Sequence, residues 1–205
     1  MRYGVIAALM GLTMVPVPAL AQMQVQGAVR LGFALGGDSG KRSDFNPHLE
    51  ADFGGIYGGV EAHVYNDSTN SEIVPYLGYR NMAGALSYDV SYRRSLLPND
   101  GGDCCGRVEA GLALPLGSTV VATLDMGLDP ASGEGDAMLG ADVAAFDRVT
   151  LSGGFGVAGS AQEWELGASY ALTETTDVVA HYYDGSDIAP YIGLDLVWRF
   201  NVLGN

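Results

Sequence analysis

The stretch nearest the C-terminus constrains the fold most. From Tyr191 to Phe200 the residues alternate strictly. Ile192, Leu194, Leu196, Trp198 and Phe200 fall on one parity; Tyr191, Gly193, Asp195, Val197 and Arg199 fall on the other. Side chains on a strand alternate faces with period two, so one face is continuously apolar and the other carries an acid and a base. A soluble sandwich would show the same alternation. Here the pattern recurs about twelve times, with aromatic residues near many strand ends and an export-like segment in front. That combination predicts an all-β fold, a transmembrane antiparallel barrel of a bacterial outer membrane.

The N-terminal segment reads as a secretory signal. Arg2 precedes an apolar stretch, Val5 to Val17, and Ala19-Leu20-Ala21 forms an A-x-A site before Gln22. The stretch is too short to span a bilayer as a helix and carries Pro16 and Pro18. The expected organisation is therefore a cleaved signal over residues 1–21 and one barrel domain over 22–205. No later segment offers the roughly 18 apolar residues of a membrane helix.

The strands are expected at 24–35, 47–54, 56–66, 71–81, 85–95, 106–116, 118–128, 136–146, 148–158, 162–172, 175–184 and 190–200. Their connections alternate between short and longer, the longest being 36–46 and 96–105. Barrels of this class have short periplasmic turns and longer outer loops, so twelve strands place both termini in the periplasm. One parity of these strands carries the bulky apolar residues, among them Leu31, Phe33, Leu77, Leu124, Leu151 and Phe155. The other carries nearly all the charge. Its expected lumen-lining residues are Arg30, Glu50, Asp52, Glu61, Arg80, Asp89, Arg93, Glu109, Asp125, Asp142, Glu165, Asp195 and Arg199, with Glu163 and the histidines His48, His63 and His181 beside them. Arginine at the lipid-facing midplane costs roughly 2–4 kcal/mol, which gives the segregation its physical reason.

Several segments resemble a known family. Asp52-Phe-Gly-Gly-Ile-Tyr-Gly-Gly-Val-Glu61, Glu72-Ile-Val-Pro-Tyr-Leu-Gly-Tyr79, Leu86-Ser-Tyr-Asp-Val-Ser-Tyr92, Pro98 and Glu109 are similar to the proteobacterial outer-membrane family often labelled Gcw_chp. Its pattern runs G-x-Y-x-G, an acidic residue before x-x-G-Y, then a tyrosine-rich strand and a proline. The resemblance implies an outer-membrane barrel. The family carries no known activity, so it implies no particular chemistry.

Charge excludes one class of partner. The chain has a formal net charge of −14, and Lys41 is its one lysine. Phosphate contacts need clustered Lys and Arg, so nucleic acid is not an expected partner. The expected partners are outer-membrane lipid, lipopolysaccharide and small solutes. Cys104-Cys105 falls in an expected outer loop. In an oxidising compartment the pair forms a loop-stiffening disulfide, pairs between molecules, or binds a soft metal; two ligands fall short of a structural zinc set. The first reading is preferred, and no metal or cofactor is expected. The histidines suggest a hydrolase, but no G-x-S-x-G motif appears and no serine shares a parity near His181.

Inside the barrel, Arg30, Arg80, Arg93 and Arg199 either build a rigid ion-pair network or help line a channel. Arg80 and Arg93 are the expected counter-charges of Asp89. Inward glycines at 32, 78, 111, 127, 140, 154, 156 and 167 are expected to leave room. The expected function is a narrow, porin-like channel for small solutes with a weak preference for cations, and not an enzyme. The alternatives are a plugged structural or adhesion barrel acting through its outer loops, and an outer-membrane hydrolase.

Overall fold

A computed structural model describes residues 23–37, 41–66, 71–98, 102–187 and 189–203. The signal-like segment 1–21, and the loop acids Asp38 and Asp100, lie outside the described residues. Twelve strands form: β1 (Gln24–Gly36), β2 (Lys41–Phe53), β3 (Ile56–Tyr65), β4 (Glu72–Ala83), β5 (Leu86–Leu97), β6 (Gly102–Leu116), β7 (Val120–Leu128), β8 (Gly135–Phe146), β9 (Val149–Ala158), β10 (Ala161–Ala171), β11 (Thr176–Gly185) and β12 (Tyr191–Leu203). Each pairs antiparallel with its neighbours in sequence, and β1 pairs with β12 to close the barrel. Closure removes every edge strand, so no strand presents a free row of ladder groups.

Two strands run further than the sequence pattern suggests. β2 begins at Lys41 and β6 at Gly102, where loops were expected to 46 and 105. Lys41 to Asn46 pair with Leu35 down to Arg30, and Gly102 pairs with Leu97. Ladder hydrogen bonds to an existing neighbour extend these polar segments, although their own composition lacks the alternation of a half-buried strand. The connections at the loop end consequently span two to six residues (37–40, 66–71, 98–101, 129–134, 159–160 and 186–190). The other end has turns of two to four residues, and the described ends of β1 and β12 lie there too. Gly54 and Gly55, with φ of 62° and 89°, make the β2–β3 turn, a conformation that L side chains resist.

The outer surface is the apolar one. Leu77, Leu139, Phe155, Leu166, Ile192 and Trp198 are each at least half exposed, all on the expected lipid-facing parity. The buried core of an ordinary globular domain is nearly missing: Tyr57 and Val74 are the buried hydrophobic side chains among the described residues. This inversion, with apolar residues outside and polar residues inside, is what a closed sheet needs in a bilayer. No described helix is long and apolar enough to cross a membrane, so any crossing is made by strands.

Candidate functional site: the barrel interior

Register determines which residues share the interior. Across the wall, Glu50 pairs with Gly59, Asp52 with Tyr57, Arg80 with Asp89, Ser91 with Glu109, Gly111 with Asp125 and Val121 with Asp142. Glu165 pairs with Tyr183, Gly32 with Asp195, and Ala28 with Arg199. Arg30, Glu61 and Arg93 lie on the same face, opposite Asn46, Val74 and Tyr76. Continuing the parity to the strand ends adds Asp44, Glu72, Asp136 and Asp177, together with Arg42 and Arg107. Parity alone would have found Arg107, Asp136 and Asp177. Asp44 and Arg42 needed the longer β2. The interior is therefore richer in carboxylates than in arginines.

The wall from β2 to β5 is an interlocked network. The Tyr57 hydroxyl donates to Asp89 Oδ1 at 2.7 Å, and the Tyr76 hydroxyl donates to Glu50 Oε2 at 3.0 Å. The Arg80 guanidinium lies 3.9 Å over the Tyr57 ring and bonds Glu50, with Nε 3.2 Å from Asp52 Oδ2. The two rings sit in places that two glycines leave free. A Cβ on Gly78 would strike the Tyr57 ring, and a Cβ on Gly59 would strike the Tyr76 ring. Glycine opposite a large aromatic lets the ring lie flat across the sheet.

Nearer the loop end, Arg93 bonds Glu61 and reaches Glu109 at 3.3 Å. Arg107 bonds Asp136 and lies 3.4 Å from Glu109. On the opposite side Arg30 bonds Asp44 at 3.1 Å, His181 Nδ1 lies 3.4 Å from Asp195, and Arg199 bonds Asp177 at the turn end.

Two expectations are corrected here. Asp89 is not held by Arg80 or Arg93. Although Arg80 is its register partner, that side chain reaches back to Glu50 and Asp52, Arg93 turns to Glu61 and Glu109, and a tyrosine hydroxyl satisfies Asp89. Nor do most inward glycines leave open space. Tyr57 covers Gly78, the Arg107 guanidinium covers Gly127, Asp44 and Asp195 cover Gly32, and Ser152 covers Gly167. Gly111 differs: an added Cβ there would meet Asp125 Oδ1 at 3.2 Å and Asp89 Cβ at 3.9 Å, with no other atom within 4 Å.

The wall from β7 to β10 is different in kind. Apart from Met138, which packs over Gly154 and Gly156, its residues are small (Thr123, Gly140, Ser152), and the acids Asp125, Asp142, Glu163 and Glu165 have no ion-pair partner among the described residues. Three cavities with shared lining run along β5 to β8. A cavity of about 790 Å³ at the loop end is lined by Arg107, Glu109 and Asp136. A second, of about 420 Å³, shares those three residues and continues to Asp89, Gly111 and Asp125. A third, of about 350 Å³, shares Asp89, Gly111 and Asp125 and extends to Arg80, Asn81 and Met82 near the turn end.

Cys104 and Cys105 form a disulfide, with Cα atoms 3.7 Å apart. They lie within β6 rather than in a loop. The register between β5 and β6 shifts there, Ser95 pairing with Cys105 and Leu96 with Asp103, which leaves Cys104 as the extra residue of a β-bulge. Cys105 borders the loop-end cavity. The three histidines all fall on interior parity: His48 beside Tyr76, His63 with Nε2 3.2 Å from Glu61, and His181 beside Asp195. No serine hydroxyl is hydrogen-bonded to any of them among the described residues. Nor do the described residues hold a group of His, Cys, Asp and Glu suited to a metal ion.

No family model matches the chain, and no curated protein matches it in sequence. Solved structures do resemble it. The KdgM porin superposes with a TM-score of 0.68 at 8% identity, over 84% of this chain and 99% of that one. A KdgM porin in complex with disordered oligogalacturonate gives 0.66 at 9% identity, over 84% and 99%. The outer membrane phospholipase A from Escherichia coli gives 0.57 at 12% identity, over 83% and 89%. The fold is that of the outer-membrane β-barrels.

Proposed function

We propose that the protein is a narrow, porin-like channel of a Gram-negative outer membrane, passing small solutes with a weak preference for cations. In this reading residues 1–21 are removed on export, and the short turns and both termini face the periplasm. The observation that carries it is the run of three cavities with shared walls, from the loop end past Gly111 to the turn end. Twelve strands lie between barrels filled by side chains and barrels with wide pores. The loops do not account for a plug. A six-residue connection anchored at both rims reaches only about 10 Å along the interior.

Charge sets the expected selectivity. Arg30, Arg80, Arg93, Arg107 and Arg199 are already committed to carboxylates, Arg42 stacks on the Tyr65 ring, and Asp125, Asp142, Glu163 and Glu165 remain uncompensated. A confined passage with such a wall enriches cations, less so as salt rises. An oligogalacturonate, the polyanion held by the KdgM complex, suits this interior poorly. The phospholipase likeness extends to the fold, but lipid hydrolysis needs a nucleophile and base open to lipid, and these histidines face inward. The motif tyrosines and glycines that resemble the Gcw_chp family interlock as Tyr57 on Gly78 and Tyr76 on Gly59, which stiffens this wall.

The test is single-channel recording of refolded protein in a planar bilayer. Gly111→Leu should cut the conductance severalfold, because its side chain enters the shared segment of the passage. Reversal potentials across a salt gradient should show cation preference, weakened by Asp125→Asn with Asp142→Asn. Anion selectivity would refute the charge argument. Silence from protein shown to be folded would replace the channel with a plugged barrel acting through its loops.

A further inference from the structure

Polar groups inside this barrel are of two kinds. On the β2–β6 side most are bonded to one another and have little left for a passing solute. On the β9–β12 side several are not. A cavity of about 340 Å³ there is lined by Arg30, Ser152, Glu165, His181, Tyr183, Tyr191 and Asp195. Glu165, Tyr183 and Tyr191 form one transverse row, since Glu165 pairs with Tyr183 and Tyr183 with Tyr191. The two tyrosine rings are parallel, with centroids 5.5 Å apart, and the His181 ring meets Tyr191 edge-on at 6.0 Å. Neither tyrosine hydroxyl nor the Ser152 hydroxyl has a hydrogen-bond partner among the described residues, and Glu165 has no ion pair. Of the lining residues, Arg30 is paired with Asp44, and His181 Nδ1 lies 3.4 Å from Asp195.

The cavity therefore offers aromatic faces, hydroxyls and the unpaired Glu165 carboxylate, while its one arginine is already held by Asp44. We propose that it is a subsite for organic ammonium ions, with Glu165 pairing the charge and the rings of Tyr183 and Tyr191 attracting it through their faces. The ring quadrupole attracts a weakly hydrated ammonium group, and the attraction grows as the site loses water. A small inorganic cation would gain nothing from the rings and wants a fuller oxygen shell than one carboxylate supplies. An anion would meet Glu165, with the one arginine already held by Asp44. A neutral sugar would find hydroxyl partners but leave the carboxylate charge uncompensated. This subsite depends on the channel reading for its use in transport, and its binding chemistry is testable without it.

The experiment titrates choline into detergent-folded protein by calorimetry, with heat-shifted gel mobility as the check of folding. Choline should bind, and Glu165→Gln should weaken it about fivefold. Tyr183→Leu with Tyr191→Leu should do the same, while the corresponding double Phe variant, which keeps the rings, should retain binding. Glucose and glucuronate should bind much more weakly. Absence of choline binding, equal binding of glucose, or an unchanged Glu165→Gln variant would overturn the assignment; if the Leu variant does not fold, Glu165→Gln decides it alone. A conducting barrel that ignores choline refutes this inference and leaves the channel. A barrel that binds choline with the expected dependence but passes no current refutes the channel and keeps the site.

Discussion

Substituting Gly78 with alanine should destabilise the barrel far more than the same change at Gly111, although both are inward glycines on neighbouring walls. At Gly78 the new methyl would occupy the place of the Tyr57 ring, which is 6% exposed and cannot step aside into solvent. Displacing the ring breaks the hydroxyl bond to the Asp89 carboxylate, at 2.7 Å, and the stacking of Arg80 at 3.9 Å. A hydrogen bond to a charged group contributes about 1.5–3 kcal/mol and a cation–π contact about 0.5–1 kcal/mol, so the expected loss is about 2–4 kcal/mol. At Gly111 the methyl meets one carboxylate oxygen at 3.2 Å, which a small rotation of Asp125 relieves. The expected change is under about 1 kcal/mol. Urea unfolding in lipid vesicles, followed by tryptophan fluorescence, measures both. Equal midpoints for the two variants would refute the idea that the interior glycines are seats for rings rather than open space.

Leu151 is 44% exposed on the outer face, and Ser152 next to it faces inward. Leu151→Arg should impair insertion by roughly 2–4 kcal/mol and Ser152→Arg by less, as yields of folded protein in lipid would show; equal yields would mean the β9 register is wrong. For orientation, Ser132→Cys and Ala85→Cys, each in a background with Cys104→Ser and Cys105→Ser, should label differently on intact cells with an impermeant maleimide. Label at 85 but not at 132 would invert the topology. In the β7–β8 loop, the Ala131 amide and Ser132 hydroxyl donate to Asp129 and hold its carboxyl below the ordinary carboxylate value. A depressed folded-state pKa stabilises the loop above the unfolded value of about 3.9, and that contribution is lost as pH falls through the folded value. Protease nicking of this loop should therefore rise only in strong acid, and Asp129→Ala should show it already at neutral pH.

Strand number, the closed barrel and the inward or outward side of each mid-strand residue were legible in the chain itself, because side-chain parity is a local property of extended backbone. Ile192 to Trp198 needed no partner to announce an apolar face. What each inward group meets is not local. Arg80 sits across from Asp89 in register yet serves Glu50 and Asp52, because long side chains reach diagonally and along the wall to neighbours that closure brings near. The same holds for glycine: Gly78 and Gly111 look alike in sequence, and only the tertiary structure puts a tyrosine over one and a cavity beside the other. The extra length of β2 and β6 also came from partner strands, which recruit polar segments that have no strand signal of their own. The pattern of the chain determined a polar interior. The register of twelve strands decided which of its charges cancel and which face the passage.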